Sequence, residues 1–135
     1  MVGFKLVIGL PGGTCVQKDV QEPQLKILLG KQIGDTVPGD ELGFAGYEFV
    51  ITGGSDYCGF PMRKDVPGTS RKRILALGGV GVNTPHKGMR IRKTVCGNTI
   101  HPKIVQVNLK VTKEGKESLA PPPTEQKADK AAAAA

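Results

Sequence analysis

The sequence predicts a mainly β domain built from short strands, with one short helix. The chain has 19 Gly and 10 Pro among its 135 residues, which favours many turns. Apolar residues alternate with other residues in several segments, the pattern of half-buried strands, whereas only one segment has the apolar spacing of a helix. These observations are typical of a barrel or sandwich of short strands.

The first half of the chain contains most of the predicted elements. Segments with alternating apolar residues are predicted as strands, and here they are residues 4–10, 14–20 and 47–52, while residues 36–40 are predicted as a brief strand and turn. Between the second and third of them, Pro23 suits the first turn of a helix, where its missing N–H costs nothing. Leu25, Leu28 and Leu29 share one face of that helix, so a short helix is predicted that ends at Gly30 or Gly34.

Three further strands are predicted in the second half, over residues 72–77, 89–95 and 103–111. The first contains Ile74–Leu77, a continuous apolar run of the length of a buried strand. The second is expected to hide one side and to show Arg90 and Arg92 on the other. In the third, an alternating apolar face is expected to begin at Val105 and to end at Val111.

The segment GGSDYCGFPM, residues 53–62, is predicted to form a tight and rigid loop. Gly53 and Gly54 permit backbone angles that residues with a Cβ avoid, and Ser55 and Asp56 can bond their own backbone in a turn. We expect Phe60 and Met62 to point into the core and to hold the loop at a fixed angle. The two bases that follow the loop would then emerge on the binding side.

Charge is distributed unevenly along the chain. The formal net charge is +7, with −3 over residues 1–62, +10 over residues 63–110 and zero over residues 111–135. A basic segment inside an otherwise acidic chain implies a polyanionic partner, and a phosphate backbone is the commonest one inside cells. An acidic membrane surface is the alternative.

The bases of this segment are the candidate RNA-binding residues. Together they would neutralise several phosphates, and Arg suits bidentate phosphate contacts. Aromatic residues are scarce here, so we expect recognition of the shape and backbone of folded RNA rather than base stacking. The candidates are Arg63, Lys64, Arg71, Lys72, Arg73, His86, Lys87, Arg90, Arg92, Lys93 and Lys103.

Other classes of site have weaker support. The three cysteines are widely spaced and form no CxxC pair, which argues against a metal site or a disulfide scaffold and favours small thiols in a reducing compartment. His86 and His101 are expected to be surface loop residues, and no catalytic arrangement or cofactor motif is evident. The sequence has neither an apolar run of about 18 residues nor a secretory signal layout. We therefore expect a cytoplasmic protein that is not an enzyme and has no cofactor, no small-molecule substrate and no membrane partner.

Two motifs resemble the e-type small-subunit ribosomal protein six family of archaea and eukaryotes. Residues 51–66, ITGGSDYCGFPMRKDV, resemble its Gly-Gly-Asn-Asp signature followed by Gly-Phe-Pro-Met, with Ser55 where Asn is usual. Residues 88–97, GMRIRKTVCG, are similar to its G-x-R-x-R-K-[ST]-V-x-G. The final strand segment, residues 104–112, and the Lys-Glu-Gly of residues 113–115 also fit, so the resemblance extends from residue 1 to about residue 119.

The resemblance implies a small β-barrel-like domain, over residues 1–118, that is seated on small-subunit ribosomal RNA beside neighbouring ribosomal proteins. Residues 119–135, rich in Pro and Ala, are expected to be a flexible tail, and the length favours an archaeal-type member. Two alternatives remain at this point. One is a small barrel module that docks on a protein of the translation machinery, and the other is a small nucleotide-using enzyme.

Overall fold

The computed structural model describes residues 3–21, 23–115 and 119. Apart from Leu119, which packs against the core, the expected flexible tail over 119–135 lies outside the described residues. The packed part of the chain therefore includes Leu119, one residue beyond the domain boundary expected from the sequence.

Seven strands and one short α-helix form the described domain, so the prediction of a mainly β fold is confirmed. A single turn of 3-10 helix, Asp40–Leu42, was not anticipated. In chain order the elements are β1 (Phe4–Gly9), β2 (Cys15–Val20), α1 (Leu25–Leu28), β3 (Thr36–Pro38), β4 (Glu48–Asp56), β5 (Lys72–Ala76), β6 (Ile91–Val95) and β7 (Ile104–Lys113).

The strands form two separate sheets. Five of them pair in the order β2-β1-β7-β4-β3, and β5 pairs with β6 in a two-stranded ribbon. The β1–β7 pair is parallel and the other pairs are antiparallel. Among the described residues, β2 and β3 remain the two edges of the larger sheet and do not pair with each other. The sheets are therefore not closed into a barrel.

The core lies against one face of the five-stranded sheet. Alternate residues of β1, Phe4, Leu6 and Ile8, are buried, as the period-two pattern predicted. The buried residues Leu25 and Leu28 of α1 pack in the same cluster. The helix thus covers part of the sheet, whereas Leu29, expected on the same face, is exposed because the helix ends at Leu28.

The β4–β7 pair departs from the predicted alternation at a β-bulge. The register passes from Ser55–Gln106 directly to Asp56–Ile104, so Val105 has no partner on β4. A bulge shifts the side-chain pattern by one residue. The buried face of β7 therefore begins at Ile104, and Val105 is exposed, contrary to the prediction.

The apolar run of β5 is not the buried strand predicted from its composition. Leu75 is 54% exposed and Leu77, just after the strand, is 57% exposed, whereas Ala76 is buried. In the register, Leu75 faces Arg92 across the ribbon. A two-stranded ribbon without a covering layer leaves one face in solvent, which explains the exposure of these leucines.

Candidate nucleic-acid interface

The segment predicted as one tight loop is divided between a strand and a turn. Strand β4 continues through Gly53 and Gly54 to Asp56, so the loop is shorter than expected. Neither of these glycines has a positive φ. Gly54 is needed for a different reason, because a Cβ at this position would overlap the backbone carbonyl oxygen of Gln106 on β7. The left-handed residue of the turn is Gly59, at φ 83°.

Asp56 holds the turn together at its base. Its carboxylate accepts hydrogen bonds from the backbone N–H groups of Cys58 (2.8 Å) and Phe60 (3.1 Å) and pairs with the Arg71 guanidinium at 2.6 Å. The side chain is almost completely buried. Burial alone would raise the pKa of Asp56, but the Arg71 bond and the two N–H bonds outweigh it and hold that pKa below its ordinary value.

Arg71 links this turn to the segment before β5. Its guanidinium carbon lies 4.7 Å from the ring centroid of Tyr57 and 5.0 Å from that of Phe60. The hydrogen bond with Asp56 is the main cause that raises the pKa of Arg71. Arg71 is therefore charged and internally neutralised, and about a third of its side chain remains exposed.

Met62 and Phe60 differ in burial. Met62 is buried in the core, as predicted. Phe60 is only half-buried, so the prediction that it points into the core is wrong. The Arg71 guanidinium over its ring explains the difference, because a charged group at this position needs access to solvent.

Arg63 was expected to emerge from the turn on the binding side, but its side chain is held by other groups of the protein. Its side chain is 13% exposed and forms an ion pair with Asp65 at 2.6 Å. It also donates to the backbone oxygens of Val80 (3.2 Å) and Gly78 (3.5 Å). Arg63 thus fixes the loop after β5, and its charge is already balanced.

The remaining candidate bases are exposed, and no ion pair is described for them among the residues that the structure covers. His86 also lies in the exposed loop between β5 and β6. With Arg63 and Arg71 neutralised, the basic surface is reduced to Lys64, Lys72, Arg73, Lys87, Arg90, Arg92, Lys93 and Lys103. We call these eight residues the unpaired basic set.

The ribbon presents bases on both of its faces. Arg73 and Arg92 lie on one face with Leu75, because Arg73 faces Thr94 and Leu75 faces Arg92 in the register. Lys72 and Lys93 lie on the other face, next to the buried Val95. A ribbon with cations on both sides can contact phosphates on either side of it.

The ribbon is attached to the body at its base. Cys96 N–H donates to the Pro61 carbonyl oxygen (2.9 Å), and Arg63 N–H donates to the Cys96 carbonyl oxygen (3.2 Å). Beyond this bridge the strands of the ribbon pair mainly with each other. The ribbon is therefore held at its base by these two bonds, and at the loop that follows β5 by the side chain of Arg63.

His101 lies partly exposed in the loop between β6 and β7, and its ring contacts the buried thiol of Cys96. The His101 Nε2 atom lies 3.5 Å from the Cys96 Sγ, and Nδ1 accepts the backbone N–H of Lys103 at 3.2 Å. Burial raises the pKa of the Cys96 thiol and lowers the pKa of His101. A neutral thiol beside a neutral imidazole is not an activated nucleophile.

Among the described residues, no group of three His, Cys, Asp or Glu side chains is placed to bind a metal ion. No helix in the described part of the chain has the length and apolar composition that crossing a membrane requires. Sequence reasoning missed two features of this region, the Asp56–Arg71 pair and the position of Tyr57. The only available signal was that Asp56 is the last acid before the basic segment.

Comparisons with known proteins agree with one another. The family model described as ribosomal protein S6e matches residues 4–122. The chain is 43% identical to the small ribosomal subunit protein eS6 of Methanocella arvoryzae, over 88% of this chain and 84% of that protein. It is 47% identical to the eS6 protein of Archaeoglobus fulgidus (86% of this chain, 92% of that protein) and 47% identical to that of Nanoarchaeum equitans (84% and 83%).

Proposed function

Because the chain belongs to the ribosomal protein S6e family, we propose that it binds small-subunit ribosomal RNA through a basic face within residues 63–103. The chain is a structural, non-enzymatic constituent of the small ribosomal subunit. It sits in the ribosome, in association with ribosomal RNA and ribosomal proteins. We also propose that these ribosomes are located in the cytoplasm.

The observation that supports the proposal is the unpaired basic set. The fold neutralises Arg63 and Arg71 with Asp65 and Asp56, and leaves the other eight Lys and Arg residues of 63–103 exposed. Exposed bases repel one another, so a cluster of them without acids is stabilised by a polyanion. Phosphate contacts of this kind position a protein on RNA without reading its sequence.

Salt dependence tests this proposal. We expect Arg90→Ala, Arg92→Ala and Lys93→Ala together to weaken binding to small-subunit ribosomal RNA and to reduce the slope of log K against log salt by about two to three, at about 0.7–0.9 per phosphate contact. The matched control changes three exposed lysines outside residues 63–103, Lys5, Lys26 and Lys110, to Ala. Equal slopes for the two triple variants would contradict the proposal.

One observation supports the alternative of a protein partner. Leu75, Leu77, Val80 and Met89 are exposed apolar residues toward the far end of the ribbon. A neighbouring ribosomal protein that covered them would bind with little dependence on salt. Binding of the chain to a neighbouring ribosomal protein would favour this alternative if it is lost in Leu77→Ala and has the same affinity at low and at high salt.

A further inference from the structure

Three separate segments line an open pocket of about 410 Å³ at the foot of the ribbon. This volume lies within the range of small-ligand sites, about 300–1,000 Å³. One wall comes from the turn after β4, the second from the segment before β5, and the third from the connection between β6 and β7. The lining residues are Tyr57, Thr69, Ser70, Arg71, His101 and Lys103.

Tyr57 is an exposed aromatic residue held in a fixed position. Tyr57 is 58% exposed, and the Arg71 guanidinium carbon lies over its ring, 4.7 Å from the ring centroid. Its backbone N–H donates to the Lys103 carbonyl oxygen at 3.0 Å, which ties two walls of the pocket together. An ordered ring that is still open to solvent is suited to stacking with a second flat group.

The charged groups of the pocket are all cationic. Arg71 and Lys103 belong to the lining, and Lys103 has no described ion-pair partner. No acid is among the lining residues, and Asp56, the partner of Arg71, is almost completely buried. An anionic group is therefore favoured at the rim.

His101 completes the wall as a neutral ring. Its Nδ1 atom accepts the Lys103 N–H, so the proton of the neutral imidazole lies on Nε2, toward the Cys96 sulfur. Thr69 and Ser70 also line the pocket, and their hydroxyl groups can donate and accept hydrogen bonds. The pocket thus combines aromatic, polar and cationic groups within one small volume.

We infer that this pocket receives one unstacked nucleotide of the bound RNA, with its base against Tyr57 and its phosphate beside Lys103. Single-stranded nucleotides in RNA loops and bulges splay out and stack on aromatic side chains, while cations beside them hold the backbone. The inference rests on the proposed function. It departs from the expectation that stacking is absent, because Tyr57 precedes the basic segment in sequence but lies next to Lys103 in the fold.

Affinity and salt dependence separate this inference from the proposal on which it rests. With deproteinised small-subunit ribosomal RNA of Archaeoglobus fulgidus as the probe, we expect Tyr57→Ala to weaken binding of the full chain by about ten- to a hundred-fold. The salt slope should stay the same, because the side chain is uncharged. Tyr57→Phe should bind like the unaltered chain, and so should Leu29→Ala, which removes an exposed apolar side chain elsewhere.

The outcomes distinguish the two claims. Unchanged affinity of Tyr57→Ala, while the unaltered chain keeps its salt-dependent binding, overturns the nucleotide pocket alone. Failure of the unaltered chain to bind the RNA overturns both. A melting curve of Tyr57→Ala like that of the unaltered chain excludes unfolding as the cause of lost affinity, and equal losses in Tyr57→Ala and Tyr57→Phe contradict stacking.

Ultraviolet cross-linking in small ribosomal subunits that contain this chain supplies an independent measurement. We expect mass spectrometry to find a nucleotide attached to the peptide that contains Tyr57, and to lose that product in Tyr57→Ala. A cross-link from Tyr57 to an acidic segment of a neighbouring protein, in place of RNA, would overturn the inference.

Discussion

At the scale of single residues, Asp56 has two structural roles. It caps the turn after β4 through the N–H groups of Cys58 and Phe60, and it holds Arg71 between Tyr57 and Phe60. The first role is predictable, since Asp commonly bonds the backbone of its own turn. The second is not, because it depends on a base 15 residues later that the fold brings next to it.

The pH dependence of stability should show the contribution of Asp56. The folded state holds its pKa below the value of about 3.9 expected in the unfolded chain. The stabilisation is therefore complete above that unfolded value and is lost as the pH falls through the lower folded pKa. Asp56→Asn should lose about 1–3 kcal/mol at pH 7 and show a shallower fall of stability below about pH 4.

Chemical unfolding followed across pH 2–8 measures this effect. Asp19→Asn, a change at an exposed acid of β2, is the control and should retain the acid-dependent fall. The effect of His101 on stability must be distinguished from that of Asp56. Burial lowers the pKa of His101 in the folded state, so protonation of His101 also reduces the stability as the pH falls below its unfolded pKa of about 6.5. An acid limb that is the same in Asp56→Asn and in the unaltered chain would contradict the assignment.

Two adjacent glycines give a matched pair of variants. A Cβ on Gly54 would overlap the Gln106 carbonyl oxygen, whereas a Cβ on Gly53 would meet nothing within 4 Å. Gly54→Ala should therefore destabilise the domain by about 1–3 kcal/mol. Gly53→Ala should be neutral or stabilising by up to about 1 kcal/mol, because Gly is unfavourable inside a strand.

Urea unfolding measures the free energy of unfolding of the two variants. The predicted result is a large difference between substitutions that are next to each other and chemically identical. Equal losses would mean that both glycines are needed for backbone angles, as the sequence alone suggested.

At the scale of elements, the sheet and the ribbon differ in how well sequence predicts them. The strands of the sheet alternate clearly, because one face of each packs on the core, and β1 was predicted within one residue of its observed end. The bulge opposite Val105 and the exposure of Leu75 were not predicted. Both depend on the neighbouring strand or the missing covering layer, which local periodicity does not contain.

Hydrogen exchange should separate the two elements. Strand β7 lies at the centre of the sheet, between β1 and β4, whereas β5 and β6 pair only with each other among the described strands. We expect the central amides of β7, such as those of Val107 and Leu109, to exchange only in global unfolding, and the amides of β5 and β6 to exchange through easier local opening. Equal protection of the ribbon and of β7 would show that the ribbon is part of the same cooperative unit.

At the scale of the whole molecule, the stable core and the basic surface lie in different parts of the fold. The five-stranded sheet contains more than half of the buried residues of the main hydrophobic core, and the ribbon with its flanking loops contains most of the unpaired basic set. The charge pattern of the sequence located the basic segment. It did not identify which bases are neutralised, because the partners of Arg63 and Arg71 are determined by the folding of the turn.

The most direct test of the central claim is an electron cryo-microscopy map of a small ribosomal subunit that contains this chain. We predict that the β5–β6 ribbon lies against ribosomal RNA, with side chains of the unpaired basic set, Arg73, Arg92 and Lys93 among them, within about 4 Å of phosphate oxygens. Arg63 and Arg71 should keep their bonds to Asp65 and Asp56. A map in which the ribbon faces solvent or only protein, while another surface of the domain contacts the RNA, would contradict the claim.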